Sequence, residues 1–286
     1  MSENPFDFMR LNSTEQRVSV HTKNLQSCLK SWCLSDEDSV AQMVYAWKNP
    51  LHPNYLRLET SSLDPGWEFG WYQALREELI DLLQDSGANG YDMLLDATQN
   101  ELQDLESFGW SPVLETWELY FELDEEIQLK LPEVTVESFA EQSNLEEVIE
   151  FLSERYCYYH DWSPPCTLDF KSWLDIFTED LDPELSFLVK ENGKIAAAST
   201  VHRDFKNKSE INKVDVGWIY QNHESEIASS LLAQQILAIQ KQSYEAVFVE
   251  IDSNLDFLGN FFSNYSPQDA ICWYRWRVDR KNVESS

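Results

Sequence analysis

The sequence predicts an α+β protein, a mixed and mostly antiparallel sheet flanked by helices, on three observations. Residues 131–278 read by periodicity as β-α-α-β-β-β-α-β-α-β, a run of antiparallel strands that passes into a β-α-β unit. Asn192-Gly193 separates two β-prone runs, LSFLVK (185–190) and IAAASTVHR (195–203), the strongest short hairpin signal a sequence carries. Hydrophobic residues make up 43% of the 286 and aromatics 13%, with 11 Trp, so a sizeable core can be built and global disorder is excluded. The length suits two domains of ordinary size.

Along the chain, Val18 and Val20 followed by Leu25, Cys28, Leu29 and Trp32 suggest a short strand and then a helix. NPLHPNYL (49–56) is a loop set by two prolines. Leu75, Leu79, Leu82 and Leu83 fall at helical spacing, Arg76, Glu77, Glu78 and Asp81 face water, and Ser86-Gly87 ends that helix. YDMLLDA (91–97) is a buried strand, TQNELQDLESF (98–108) a helix capped by Gly109, and WSPVLETWELYFEL (110–123) a strand pair or one bent strand. DEEIQLKLPEVTVE (124–137) is a linker that runs into a strand. As an accessible boundary it is expected to be cut by limited proteolysis, leaving a folded fragment of about 150 residues. Asn144 caps a helix over 144–160, with Glu147 at the capping-box position, and Ser163-Pro164-Pro165 then breaks the chain. Thr167 opens another helix with Phe170, Trp173, Leu174 and Phe177 as its apolar stripe. After the hairpin come a third strand (211–220), a turn, and a helix carrying Ile227, Leu231, Leu232, Ile236 and Ile239. A buried strand (246–252), a short helix from Asn254 to about Tyr265 and a last strand (270–278) complete the order.

Lys+Arg number 21 against 51 Asp+Glu, a net charge of -30. Residues 1–130 hold 24 acids and 8 bases and the rest hold 27 and 13, so the charge belongs to the whole surface and not to one tail. Such a field repels nucleic acid and anionic membrane and attracts cations and amines. The start, MSENPFDFMR, lacks a basic stretch followed by an apolar one, and the longest apolar runs fall far short of the ~18 residues a membrane span needs. A cytoplasmic protein with no membrane or nucleic-acid partner is expected. The five cysteines have irregular spacings and no Cys-x-x-Cys pair, which argues against disulfides and against a structural metal.

The passage from the third strand into the long helix, VGWIY, QN, then HESEIASSLL, resembles the GNAT (GCN5-related N-acetyltransferase) superfamily. There a strand and a short turn lead to Arg/Gln-x-x-Gly-x-Gly/Ala opening a helix with a Leu-Leu pair. The resemblance covers about residues 133–278. His223 takes the first position, Glu226 the first Gly position and Ala228 the last, followed by Ser229, Ser230, Leu231 and Leu232. A helix start of this kind binds anions, because its first N–H groups are unpaired and the dipole adds positive charge. Glu224 and Glu226 depart from the pattern, and two carboxylates beside a pyrophosphate repel it. Asn254 matches a second family element. The tyrosine that often protonates the departing thiolate is replaced by Phe261, with Tyr265 one helical turn on. Residues 1–123 repeat part of the order, with Phe108-Gly109-Trp110 where relatives have Gly-Phe, so the resemblance implies two related lobes. These are a partial or degenerate GNAT-like domain over 1–123 and a GNAT-like domain over 133–286.

What the resemblance implies is acyl transfer from acetyl-CoA to a primary amine, on a small molecule or a protein. The thioester would lie in a splayed gap between strands 211–220 and 246–252. Backbone groups of Gly217, Trp218 and Ile219 would hold the pantetheine, with Asn254 nearby. The turn and helix start, His223, Glu224, Ser225, Glu226, Ile227, Ala228 and Ser229, would take the pyrophosphate. Asp215 and Glu210 are candidates for the base that strips the ammonium acceptor, and Tyr265 for the proton donor. The acidic surface suits a cationic acceptor. The alternative is an interaction protein of the same shape that has lost catalysis, with the gap plugged by Trp218, Phe248 or Phe261.

Overall fold

A computed structural model describes residues 28–36, 39–62, 72, 75–95, 105–123, 134–203, 212–222, 227–262 and 269–285. In chain order the elements are β1 (Cys28–Asp36), β2 (Ser39–Lys48), β3 (Leu56–Ser62), α1 (Arg76–Ser86), β4 (Gly90–Leu95), β5 (Ser111–Glu122), β6 (Glu137–Ser138) and a single 3-10 turn (Phe139–Glu141). Then come α2 (Glu146–Tyr159), α3 (Phe170–Thr178), β7 (Phe187–Glu191), β8 (Lys194–His202), β9 (Lys213–Gln221), α4 (Ala228–Lys241), β10 (Ala246–Asp252), α5 (Asp256–Phe262), β11 (Asp269–Asp279) and α6 (Arg280–Ser285). The chain forms two compact units. The first comprises Met1–Val113, Ser163–Cys166 and Tyr274–Ser286, the second Leu114–Trp162 and Thr167–Trp273.

In the first unit the strand order is β1-β2-β3-β4-β11. Only β3 and β4 run parallel, joined through α1. The helix expected at 25–32 is instead strand from Cys28 onward, because its backbone pairs with β2 from Cys28↔Trp47 to Asp36↔Ser39. Ladder bonds to a neighbouring strand override a spacing that fits a helix equally well. Val18, Val20 and Leu25 lie outside the described residues. α1 ends as expected on Gly87, which is left-handed (φ 68°) and donates its N–H to the Leu83 carbonyl. Leu79 and Leu83 pack into a core with Val44, Ala46, Leu56, Leu58, Tyr91, Met93, Trp276 and Val278. At Gly90 any Cβ would lie 2.1 Å from the Val278 carbonyl oxygen, so β4 approaches β11 more closely there than a side chain permits. The next polar residue on β4, Asp92, is 5% exposed and accepts two hydrogen bonds from Arg277, its register partner on β11. Removing one partner of such a buried pair costs about 3–5 kcal/mol.

Burial also holds phenols of this core protonated. Tyr72 is pushed up from 10 to about 12 mainly by desolvation, and Tyr91 is raised for the same reason. The unfolded chain ionises these groups near pH 10 while the folded one resists. Their contribution is therefore fully present below pH 10 and lost as pH rises through 12. The denaturant midpoint is expected to fall between those values, with phenolate absorbance rising together with unfolding. A midpoint that stays level to pH 12 contradicts it.

In the second unit the order is β5-β10-β9-β8-β7-β6, with β9 and β10 parallel and joined through α4. The hairpin turns at Asn192 and Gly193, both with positive φ (52° and 77°), as its dipeptide requires. α4 meets the β8 face that carries Ser199. Gln235 of α4, 0% exposed, donates to the Leu185 and Ser199 carbonyls and accepts from the Ser199 hydroxyl at 2.7 Å, so this buried amide is satisfied. α2 starts at Glu146 rather than at Asn144, whose side chain accepts the Glu146 N–H. α3 is capped by Asp169, not Thr167, through the Ser172 N–H.

The two units share one pattern. β1-β2-β3-α1-β4 and β7-β8-β9-α4-β10 have the same succession of antiparallel, antiparallel and parallel pairs, each closed by one more antiparallel strand. That closing strand comes from afar in sequence: β11 in the first unit and β5 in the second. The compact units therefore divide the chain elsewhere than at 123 and 133. Leu114–Glu122 pairs with β10, and Tyr274–Asp279 pairs with β4. Among the described residues, no helix is long and apolar enough to cross a membrane.

Candidate functional site

The candidate site lies where β9 and β10 part. Their parallel ladder runs from Lys213↔Ala246 to Val216↔Val249 and stops. Beyond it β9 continues to Gln221 along β8, and β10 continues to Asp252 along β5. The cause is local. On β8, Ala198 pairs with Tyr220 and Thr200 with Gly217, so Ser199 alone faces Trp218 and Ile219. This is a β-bulge, which bends and twists its strand. Trp218 carries the strain, with φ 43° for a bulky side chain. Its indole is held edge-on against Tyr156 (5.4 Å) and Phe177 (5.3 Å), between α2 and α3. In the first unit the β2–β3 register is unbroken, so only the second unit has a bulge at this place.

Gly217, the residue at which the strands separate, lies beside a short polar chain. Thr200 donates to its carbonyl at 2.8 Å, the Thr200 oxygen is 2.8 Å from His202 Nε2, and His202 Nδ1 is 2.9 Å from the Glu179 carbonyl. A Cβ on Gly217 would find its nearest neighbours at 3.7 Å, in the His202 ring, so a side chain added here would lie in ordinary contact with His202 and Thr200 on the α2–α3 side. Asp215, half-buried, pairs in register with His202 on one side and Phe248 on the other.

The remaining candidates are placed as follows. Ile219 is buried. Ile227 precedes α4, whose first residues are Ala228 and Ser229. The Ala228 N–H donates to the Gln221 side chain at 3.3 Å. Asn254 donates to the Tyr159 carbonyl at 2.6 Å. Glu210, His223, Glu224, Ser225, Glu226 and Tyr265 lie outside the described residues. Trp218 packs toward α2 and α3, Phe248 is half-buried with the Lys213 ammonium 5.9 Å above its ring, and Phe261 is buried against Phe262. The aromatics beside the parting strands are instead Tyr220, two residues past the bulge, and Tyr159 at the end of α2, stacked at 5.5 Å. Tyr156, Tyr159, Thr200, His202 and Tyr220 could not be read as a group because the two tyrosines of helix α2 reach the strand residues from 41 to 64 positions away. Alternation on β8 and β9 could have shown only that Thr200, His202, Asp215 and Gly217 share a face.

The chain matches solved structures over most of its length. The GCN5-related N-acetyltransferase from Sphaerobacter thermophilus superposes with a TM-score of 0.62 at 17% identity, over 86% of this chain and 79% of that one. This chain has the GNAT fold. The GCN5-related glucosamine N-acetyltransferase region of a fungal multi-domain GH3 β-N-acetylglucosaminidase matches at 0.58 and 12% identity, over 87% of this chain and 32% of that one. A tandem GNAT protein from the clavulanic acid biosynthesis pathway matches at 0.51 and 10%, over 88% and 82%. No protein-family model and no curated protein sequence matches the chain.

Proposed function

We propose that the second unit is an N-acyltransferase that moves an acetyl group from acetyl-CoA to a primary amine, and that the first unit is a degenerate copy without a site. The observation that carries this reading is the parting of β9 from β10 at a strained bulge, within a GNAT fold. A strand without a ladder partner offers backbone donors and acceptors to an extended ligand, here the pantetheine along Gly217, Trp218 and Ile219. A strand N–H would meet the charge that develops on the thioester oxygen. The first turn of α4, with the turn before it, would take the pyrophosphate. The Ala228 N–H there holds a neutral side-chain acceptor at 3.3 Å, a weak bond that a phosphate can replace. Asp215 would accept the proton lost by the amine, on the face it shares with Gly217. The net charge of -30 favours a cationic acceptor.

A second reading has its own support. Asn254 is already bonded to Tyr159, and Tyr159 and Tyr220 stack beside the gap, which suits a binding module that no longer takes a coenzyme. Calorimetric titration with acetyl-CoA separates the two, followed by transfer assays over a panel of amines. Saturable binding with acetyl transfer to at least one amine is the expected result. No binding, together with no transfer to any amine, leaves the binding module standing.

A further inference from the structure

The peptide between Gly217 and Trp218 sits where the strands part, and neither residue type holds it there. Glycine has no Cβ to restrict it, and tryptophan disfavours the positive φ that Trp218 adopts. Strained backbone of this kind persists only where its surroundings over-determine it. Two grips on this peptide lead to the end of α3. Phe177 holds the Trp218 indole edge-on at 5.3 Å. Two residues on, the Glu179 carbonyl lies 2.9 Å from His202 Nδ1, and because a carbonyl only accepts, that nitrogen donates. The other ring nitrogen lies 2.8 Å from the Thr200 oxygen, and the Thr200 hydroxyl donates to the Gly217 carbonyl at 2.8 Å. Thr200 is fully buried and is the register partner of Gly217.

A trans peptide points its C=O and its N–H in opposite directions. With the Gly217 carbonyl turned to Thr200 of β8, the Trp218 N–H faces away from β8. β9 lies between β8 and β10, so that N–H faces the side that β10 has left, and the β9–β10 ladder that would engage it has ended at Val216↔Val249.

We propose that Thr200 is a positioning residue: through the Gly217 carbonyl, and backed by His202, it aims the Trp218 N–H at the oxygen of the thioester. This rests on the transferase reading, in which a strand N–H meets the charge that develops on that oxygen. Such a donor is effective because it stands in place before the charge appears and costs no reorganisation at the moment of reaction. Without the Thr200 hydroxyl the Gly217 carbonyl loses its side-chain donor, and the N–H at the other end of the same plane turns with it.

The test is Thr200→Val, which keeps the shape of the side chain and removes the hydroxyl, set against Thr200→Ser, which keeps the hydroxyl. Losing a donor to a developing oxyanion outright costs about 100- to 1000-fold in kcat. Mis-aiming one should cost Thr200→Val about 10- to 100-fold in kcat, with acetyl-CoA and the fastest amine of the panel, while the dissociation constant of coenzyme A, which has no thioester oxygen, stays within about threefold. Thr200→Ser should recover most of the rate. The infrared stretch of the thioester carbonyl in bound acetyl-CoA, isotope-labelled at that carbon, reads the donor directly. It should lie lower in the wild type and in Thr200→Ser than in Thr200→Val. A merely structural role would weaken coenzyme A binding and lower the melting temperature along with the rate, without moving the stretch, and that result overturns the proposal. An active wild type matched by an equally active Thr200→Val overturns the role of Thr200 and leaves the transferase reading intact. A wild type that neither binds acetyl-CoA nor transfers to any amine overturns both.

Discussion

A chain that begins at residue 133 is expected not to fold by itself. It contains β6 to β10 and the whole of α4, yet it lacks β5, which pairs with β10 along all seven residues from Ala246↔Glu122 to Asp252↔Thr116. Without it the ladder groups on that side of β10 have no partner, and an apolar strand (AVFVEID) becomes an open edge, the usual starting point of aggregation. The same fragment carries Tyr274–Asp279 with no β4 to pair it and leaves Trp276 and Val278 outside their core. A domain of this size has only about 5–15 kcal/mol of stability to lose. Circular dichroism and thermal melting of the fragment over 133–286 should show no cooperative transition. A fragment over 111–286, which restores β5, should recover part of it. A sharp melt of the shorter fragment would show that β5 is dispensable.

Replacing Gly217 by valine is expected to abolish acyl transfer while the protein stays folded. The backbone there is ordinary strand, in which a β-branched residue is favoured, and a Cβ meets nothing closer than 3.7 Å. The two methyl groups beyond it would project onto the α2–α3 side, beside Asp215 and the His202 ring, where the transferase reading brings the amine to the thioester. Misplacing reacting groups by about 1 Å costs on the order of 100-fold in rate, so kcat/KM should fall by at least that much. An unchanged melting temperature identifies the loss as one of access. A variant that keeps its rate would move the chemistry away from this face.

How far the site was legible depended on whether its parts are local. Asn192-Gly193 needs only its own left-handed backbone to turn a hairpin, and Gly87 only its own αL cap to end α1, so both could be read from residue type. The GNAT fold and the pair of strands that flank the gap followed from the order of elements and from one passage, residues 216–232. The bulge could not be read, because Trp218 is a poor residue for positive φ. It is held there by Tyr156 and Phe177, contacts that exist only once α2 and α3 have docked.

By itself, then, the sequence determined the elements, their order, the acidic surface and the strand pair at which a site could form. Each of these depends on side-chain periodicity or on charge, which act over a few residues or over the whole surface. Tertiary structure alone decided the rest. It exchanged the closing strands, so that Leu114–Glu122 serves the second unit and Tyr274–Asp279 the first, because a sheet edge takes the strand whose ladder and apolar face fit it, whatever the distance along the chain. It turned residues 28–36 into strand by pairing them with β2. It also carried Tyr159 from the end of α2 onto Tyr220, stacking two phenol rings beside the parting strands, an arrangement no spacing along β9 encodes.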